Sequence, residues 1–353
     1  MPKFRTFLER KNVRPSAKLY FVDAMSTMAL GLFASLLIGT IFKTLGQYTH
    51  LQIFTDIAGY ATKATGAALG VAIAYALKAP ALVMLSAAVV GMIGNDLGTT
   101  ITATGAEPLT VAAGPAGAFL ASVVAVELGK IVSKETHVDI LVTPVVTILS
   151  GALLAKLVCP AVAYGMYYLG AFINTATEMQ PLLMGMLVSV VVGIILTLPI
   201  SSAAICAMIG ITGLAGGAAT AGCCAQMVGF AVISFRENRW GGLVAQGLGT
   251  SMLQMGNIVK NPCIWIPATL ASAITGPIST MVFKLQCTGV SAGMGTCGLV
   301  GPLGILADMG SSPRVWLGIG IVCIVLPAVL SLAFSELLRK LGWIRPGDLK
   351  LNL

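Results

Sequence analysis

Charge is what this sequence has least of. Lys and Arg together number 21 and Asp and Glu 13, so charged residues make up 10% of the 353-residue chain, against about 25% in a soluble domain. That is too little to cover a water-exposed globule of this length. From Met179 through Phe235 there is no Asp, Glu, Lys, Arg or His at all. Histidine is nearly absent: His50 and His137 are the whole supply, which leaves a structural zinc site little to be built from. The eight cysteines, Cys159, Cys206, Cys223, Cys224, Cys263, Cys287, Cys297 and Cys323, fall mostly inside apolar or Gly-rich stretches and read as small buried hydrophobes. No soluble domain of useful size is visible. A nucleotide fold, a phosphate-binding loop and ATP-driven transport by this chain alone are therefore not expected, and no cofactor or metal is expected either.

What is present is apolar: 57% of residues are hydrophobic and the mean hydropathy is +0.93. One membrane-crossing helix needs only about 20 apolar residues, so the charge-free stretch can cross more than once. The chain reads as an all-α polytopic membrane protein with about ten transmembrane helices and re-entrant hairpins. A basic amphipathic segment (1–22) leads into a membrane domain (23–338), and a short tail (339–353) follows. Spans are expected near 23–45, 57–77, 79–93, 111–129, 140–158, 159–176 and 181–199. Two short or broken elements fill 200–235, and further spans lie near 240–256, 262–283, 288–307 and 315–338. The net charge of +8 gathers at the ends, on Lys3, Arg5, Arg10, Lys11, Arg14 and Lys18 and on Arg339, Lys340, Arg345 and Lys350. Both termini read as cytoplasmic under the positive-inside tendency, with another inner turn at Arg236 and Arg239. The first span is expected to be retained rather than cleaved as a signal. The bilayer, not nucleic acid, is the partner that this charge implies.

Polar islands interrupt the oil. In GNDLGTTITATGAEPLTVAAGPAG (94–117), Gly94, Gly98 and Gly105 permit tight backbone paths while Pro108 and Pro115 disfavour one continuous helix. Asn95, Asp96, Thr99, Thr100, Thr102, Thr104 and Glu107 supply hydrogen-bonding groups there. A backbone break in hydrocarbon must be shielded or line a wet cavity, and transporters aim such broken ends at their solute. A ligand-facing hairpin, a structural break and an ordinary loop all remain open for this stretch. In 197–227, Pro199 can begin a helix, with Ser201 and Ser202 in its first turn as ligand groups or as caps, and Gln226 is the amide of the charge-free run. In 253–280, Asn257 and Asn261 either pair across a break or contact solute, Lys260 snorkels, and Trp265 is an interfacial ring or a stacking platform. In 288–310, Ser291, Thr296, Pro302 and recurring glycines suggest another re-entrant element, followed by Asp308 near a loop.

At LPISSAAI (198–205), AGCCAQMVGFAV (221–232), AQGLGTSMLQMGNIVKNPCIWIPATLASAITGPIST (245–280) and GMGTCGLVGP (293–302), the sequence resembles the membrane component, EIIC, of bacterial sugar phosphotransferase systems. The resemblance is nearest to a stand-alone branch described as perfringolysin-regulator-like. It implies an inner-membrane permease, usually a homodimer, that moves a sugar or polyol by alternating access. Separate soluble phosphotransferase components would phosphorylate the solute, so this chain would be a subunit without the phosphorylated His or Cys. Many sugar-carrying relatives place an acid near the later hairpin; 198–205 and 293–302 contain none. The residues expected to bind the solute are Asn95, Asp96, Thr100, Glu107, Ser201, Ser202, Gln226, Asn257, Asn261 and Thr296. Two other readings stand beside this one. One is a proton- or ion-coupled transporter of a small polar or anionic metabolite, motivated by Asp96 and Glu107, and the other is a membrane sensor or regulator without transport.

Overall fold

The computed structural model describes residues 7–13, 16–101 and 109–351. In chain order the elements are α1 (Leu19–Lys43), α2 (Gln52–Lys63), α3 (Thr65–Ala76), α4 (Ala81–Asp96), β1 (Gly98–Ile101), β2 (Leu109–Ala112), α5 (Gly114–Val132) and α6 (Asp139–Thr177). They continue with α7 (Pro181–Thr197), α8 (Ser202–Met208), α9 (Gly213–Ile233), α10 (Phe235–Val244), α11 (Met255–Lys260), α12 (Pro262–Phe283), α13 (Gly289–Ala292), α14 (Val300–Met309) and α15 (Pro313–Lys340). Among the described residues, six helices, α1, α5, α6, α9, α12 and α15, are long and apolar enough to cross a membrane. A seventh crossing is counted if α2 and α3, bent by 49° at their junction, form one span. The chain is a multi-pass helical membrane protein. Two compact units can be distinguished, residues 1–36 with 60–166 and residues 37–59 with 167–353.

In the first unit, α3 and α4 meet through glycine. A Cβ on Gly70 would lie 2.0 Å from the Ala87 carbonyl oxygen, and one on Gly91 would lie 2.2 Å from that of Gly66. Lipid gives helices no hydrophobic reason to associate, so close backbone approach supplies the packing. A buried ion pair sits in α5, where Lys130 Nζ lies 3.0 Å from Glu127 Oε2 and donates to the Leu77 carbonyl at 3.1 Å. Tyr20 donates to the other Glu127 oxygen at 3.3 Å. Pairing of this kind is what lets a charge persist away from water. Ahead of the first span, Arg10 donates to Glu135 at 2.7 Å, and Lys11 bonds both Glu135 and the Ser133 carbonyl.

Two expectations need correcting here: the chain is not wholly α-helical, and two of the expected spans are one helix. Helix α4 leads into an antiparallel ribbon that pairs Gly98 with Ala112, Thr99 with Val111, Thr100 with Thr110 and Ile101 with Leu109, and α5 follows. The run Thr99-Thr100-Ile101 is β-branched and suits a pleated strand. Its alternation buries Ile101 and Val111 and turns Thr100 outward. Thr102, Thr104, Gly105, Glu107 and Pro108 lie outside the described residues. The spans expected at 140–158 and 159–176 are one helix, α6, which carries Pro144 and Pro160 within it. Its 39 residues extend about 58 Å at 1.5 Å per residue, longer than the roughly 30 Å hydrocarbon core. Membrane helices tolerate interior proline because nearby groups take up the freed carbonyls.

The second unit is built around two interruptions. Leu198, just before Pro199, is extended (φ −73°, ψ 160°), as the residue before a proline is biased to be. The short helix α8 follows, and α9 restarts at Gly213. The second interruption runs from the end of α12 through α13 to α14. The stretches GITGLAG (210–216) and GTCGLVG (295–301) repeat one pattern 85 residues apart. Gly210, Gly213, Gly295 and Gly298 have φ of +61°, +60°, +57° and +51°, a left-handed region that residues with a Cβ enter at a cost. The two interruptions bond each other. Gly289 N–H donates to the Ile211 carbonyl at 2.9 Å and Cys287 N–H to that of Gly213 at 3.3 Å, while Ser202 Oγ donates to the Gly293 carbonyl at 2.7 Å.

Two outcomes follow from this packing. Gly91→Val forces α3 and α4 apart and lowers the detergent-solubilised melting temperature, at a cost of about 1–3 kcal/mol for overpacking. Gly59→Ala, with nothing within 4 Å of the added Cβ, leaves it unchanged or raises it. The Glu135 carboxyl is held below its ordinary value of 4.5, chiefly by the Lys11 hydrogen bond, with burial opposing and the Lys11 and Arg10 charges adding. Its contribution is therefore present above that ordinary value and is lost as pH falls through the lower folded value. The protection of amides in residues 7–13, relative to their free-chain exchange rates at the same pH, should be high at neutral pH and fall in acid, whereas in Glu135→Gln it should be low at both.

Candidate functional site

The largest set of polar side chains joined by hydrogen bonds at a helix break in the second unit centres on Gln226 of α9, which is fully buried. Its amide oxygen accepts from the Trp265 indole N–H at 3.0 Å and from Thr197 Oγ1 at 3.4 Å. Its amide nitrogen donates to Thr269 Oγ1 at 3.2 Å. Thr197, the last residue of α7, shares a 2.8 Å hydroxyl contact with Ser251. The break after α7 and the start of α12 thus deliver a hydroxyl and an indole to one buried amide, and the 3₁₀ turn Ser251–Gln254 ties to that hydroxyl. Thr269, one helical turn past Trp265, adds a second hydroxyl to the amide. No ionisable side chain belongs to the set, so what it offers is neutral donors, neutral acceptors and an aromatic face.

The same 3₁₀ turn carries a second amide network. Gln254 donates to Gln246 Oε1 and to the Leu349 carbonyl, both at 3.0 Å, and Gln246 donates to Ser234 Oγ at 2.8 Å. Asn257 donates to Gln254 Oε1 at 2.8 Å and to the Lys350 carbonyl at 2.9 Å. Asn261 donates to Asp348 Oδ2 at 2.7 Å and to the Trp343 carbonyl at 2.9 Å. Asn238 completes the grip, donating to the Leu349 carbonyl and accepting from Leu351 N–H, both at 2.8 Å. The segment after α15 is therefore bound through its backbone, with Leu349 buried as an anchor.

The expected site residues divide among several places. In the first unit, Asn95 donates to Asp96 at 2.8 Å at the exposed end of α4, and Thr100 faces Thr110 at 3.2 Å across the ribbon. Glu107 lies outside the described residues. In the second unit, Ser201 caps α8 by accepting from Ala204 N–H at 3.2 Å, and Ser202 joins the two interruptions. Thr296 is buried and points its hydroxyl at Met227 Sδ, 3.6 Å away. Gln226 is in the central cluster, while Asn257 and Asn261 hold the final segment. Thr197, Ser251 and Thr269 were not anticipated. Their signal is modest in sequence, where Ser251 merely follows Thr250 and Thr269 precedes Ser272, and only the helix breaks bring them together.

Trp265→Phe removes one donor to Gln226 while keeping an aromatic ring. It should cost roughly 1–3 kcal/mol for the buried acceptor left short of a partner, read as a lower melting temperature. Thr269→Val should cost at least as much, because it removes the acceptor of Gln226 Nε2, whereas Gln226 Oε1 keeps Thr197 when the indole is lost.

No curated protein matches the sequence at a significant level. The family described as Phosphotransferase system, EIIC, matches residues 22–351, which takes in both units and every polar cluster above. With that match over nearly its whole length, the chain belongs to the phosphotransferase system EIIC family of membrane permeases.

Proposed function

We propose that the chain carries a neutral, hydroxyl-rich solute, a sugar or polyol, across a bacterial cytoplasmic membrane by alternating access, for phosphorylation by separate soluble phosphotransferase components. The observation that carries this reading is the Thr197–Gln226–Ser251–Trp265–Thr269 cluster, a charge-free group of donors and acceptors with an indole at a helix break. Hydroxyl-rich solutes exchange hydrogen bonds with such groups one for one, and indole rings cover their apolar faces. In the arrangement described, the groups bind one another; solute entry exchanges those internal bonds for bonds to the solute. The negative charge added by phosphorylation would then trap the product.

The finer features of this reading are a homodimer, both termini on the cytoplasmic side, and membership of the stand-alone branch. Ten crossings are proposed as well, counting the three shorter apolar helices near 81–96, 181–197 and 297–309 with the seven above. Ser201, Ser202, Asn257, Asn261 and Thr296 frame the moving breaks in this scheme; Asn95, Asp96, Thr100 and Glu107 would act at the ribbon end of the first unit.

One observation favours the ion-coupled alternative: Glu127 and Lys130 lie inside a helix long and apolar enough to span a membrane, where charge usually marks function. Proteoliposomes separate the two. Sugar accumulation should require the soluble phosphotransferase components and phosphoenolpyruvate, and yield phosphorylated sugar. Thr197→Val and Trp265→Phe, if they fold, should each lower uptake about 5- to 10-fold, the worth of one lost hydrogen bond. Uptake driven by a pH gradient alone, or normal flux in both variants, rejects the proposal.

A further inference from the structure

A second polar feature of the same unit lies just before Trp265 in the chain and shares no residue with the Gln226 cluster. A cavity of about 510 Å³ is lined by Lys260, Asn261, Cys263, Gly342, Trp343, Arg345 and Asp348. A neighbouring one of about 240 Å³ shares Lys260, Asn261 and Asp348 and adds Lys350. Lys260, Arg345 and Lys350 are exposed, and among the described residues none of their side chains makes a hydrogen bond or ion pair. Asp348, the one acid present, is already committed. Its Oδ2 accepts from Asn261 at 2.7 Å and from the Arg345 backbone N–H at 2.8 Å, which fixes the loop, and its single charge leaves the three cations in excess.

The location of the cavity along the chain selects its occupant. Lys260 stands two residues before α12 begins at Pro262, and Gly342 stands two residues after α15 ends at Lys340. Two apolar spans thus enter or leave the hydrocarbon beside the cavity. Trp343, 53% exposed, stands at the same end, where an indole suits the boundary between acyl chains and headgroups. Uncommitted cations, a boundary tryptophan and two span ends make the level of this cavity that of lipid headgroups, and its volume is within the range of ligand sites.

We propose that this cavity binds a phosphate group carried by an anionic phospholipid. Lys260 and Arg345 contact the phosphate oxygens, Lys350 adds to the field, and Trp343 packs on the glycerol and upper acyl chain. The charge recognised is that of a phosphodiester. Free inorganic phosphate offers similar oxygens without the acyl chains that Trp343 would cover, and this separates the two sources.

Native mass spectrometry of the full-length, detergent-solubilised protein, titrated with short-chain phosphatidylglycerol, phosphatidylcholine or inorganic phosphate, tests the assignment. The wild-type protein should bind one phosphatidylglycerol in preference to phosphatidylcholine, with inorganic phosphate failing to compete at millimolar concentration. The double variant Lys260→Gln, Arg345→Gln should lose about 25-fold in apparent affinity, taking about 5-fold for each basic residue near an anionic group. Lys63→Gln, an exposed lysine on α2, should bind as the wild type does. Arg345→Gln alone preserves the backbone bond to Asp348 and keeps the test open if the double variant is unstable; it should lose about 5-fold. Equal affinity for the two lipids, undiminished binding in Arg345→Gln, or displacement of lipid by inorganic phosphate overturns the proposal.

Discussion

A polypeptide that breaks its helices inside an apolar unit must find partners for the freed N–H and C=O groups, because the surroundings supply none. In the second unit the two interruptions meet that demand by facing each other. The first offers the carbonyls of Ile211 and Gly213, and the second answers with the N–H groups of Gly289 and Cys287. Ser202 and Ser279 close the remaining gaps, donating to the carbonyls of Gly293 and Gly217 at 2.7 and 3.1 Å. Neither interruption is satisfied in isolation. The contact also demands small residues, since a Cβ on Gly216 would come within 1.7 Å of the Cys287 carbonyl oxygen. The high glycine content of the sequence is spent here on close approach and on left-handed turns.

The Gln226 cluster depends on that arrangement. Thr197 and Trp265 each sit beside an end or a beginning of a helix, and without the breaks their side chains would belong to separate helices with separate neighbours. Because α7 stops before Pro199 and α12 starts at Pro262, two threonines and an indole reach one glutamine, and a serine ties to the first of those threonines. Their neutrality matters. A charge at this depth costs several kcal/mol unless paired, while an amide with three partners is stable and still able to exchange them. The first unit solves the opposite problem at Lys130, whose ammonium keeps both a carboxylate and a backbone carbonyl.

Composition made the membrane class legible, and the basic ends and apolar runs placed most helices to within a few residues. The breaks after Thr197 and near 288–299 were legible from proline and clustered glycine. Three things were not. The ribbon at 98–112 was hidden because Gly, Thr and Pro signal a break without saying what fills it, and only pairing across the turn reveals a strand. The continuity of α6 through Pro144 and Pro160 was hidden because proline's cost depends on neighbours that the sequence does not display. The membership of the Gln226 cluster was hidden because its hydrogen bonds cross up to 54 residues of chain, between Thr197 and Ser251, and no local pattern encodes them.

The repeated GxxGLxG turn connects these points to movement. Both copies place left-handed glycines at the first and fourth positions and lie between a short helix and the next one, while their backbones differ in between, Thr212 being extended and Leu299 left-handed. Such turns absorb backbone rotation at a few bonds, as hinge positions do. The bonds between the two interruptions run from backbone to backbone or from serine to backbone. Two alike elements that satisfy each other in one state are also the elements that must find water or solute when they part. The constraint that stabilises the interrupted helices therefore sets a condition for opening them: a ligand able to replace those lost hydrogen bonds favours the open state, and an apolar one does not.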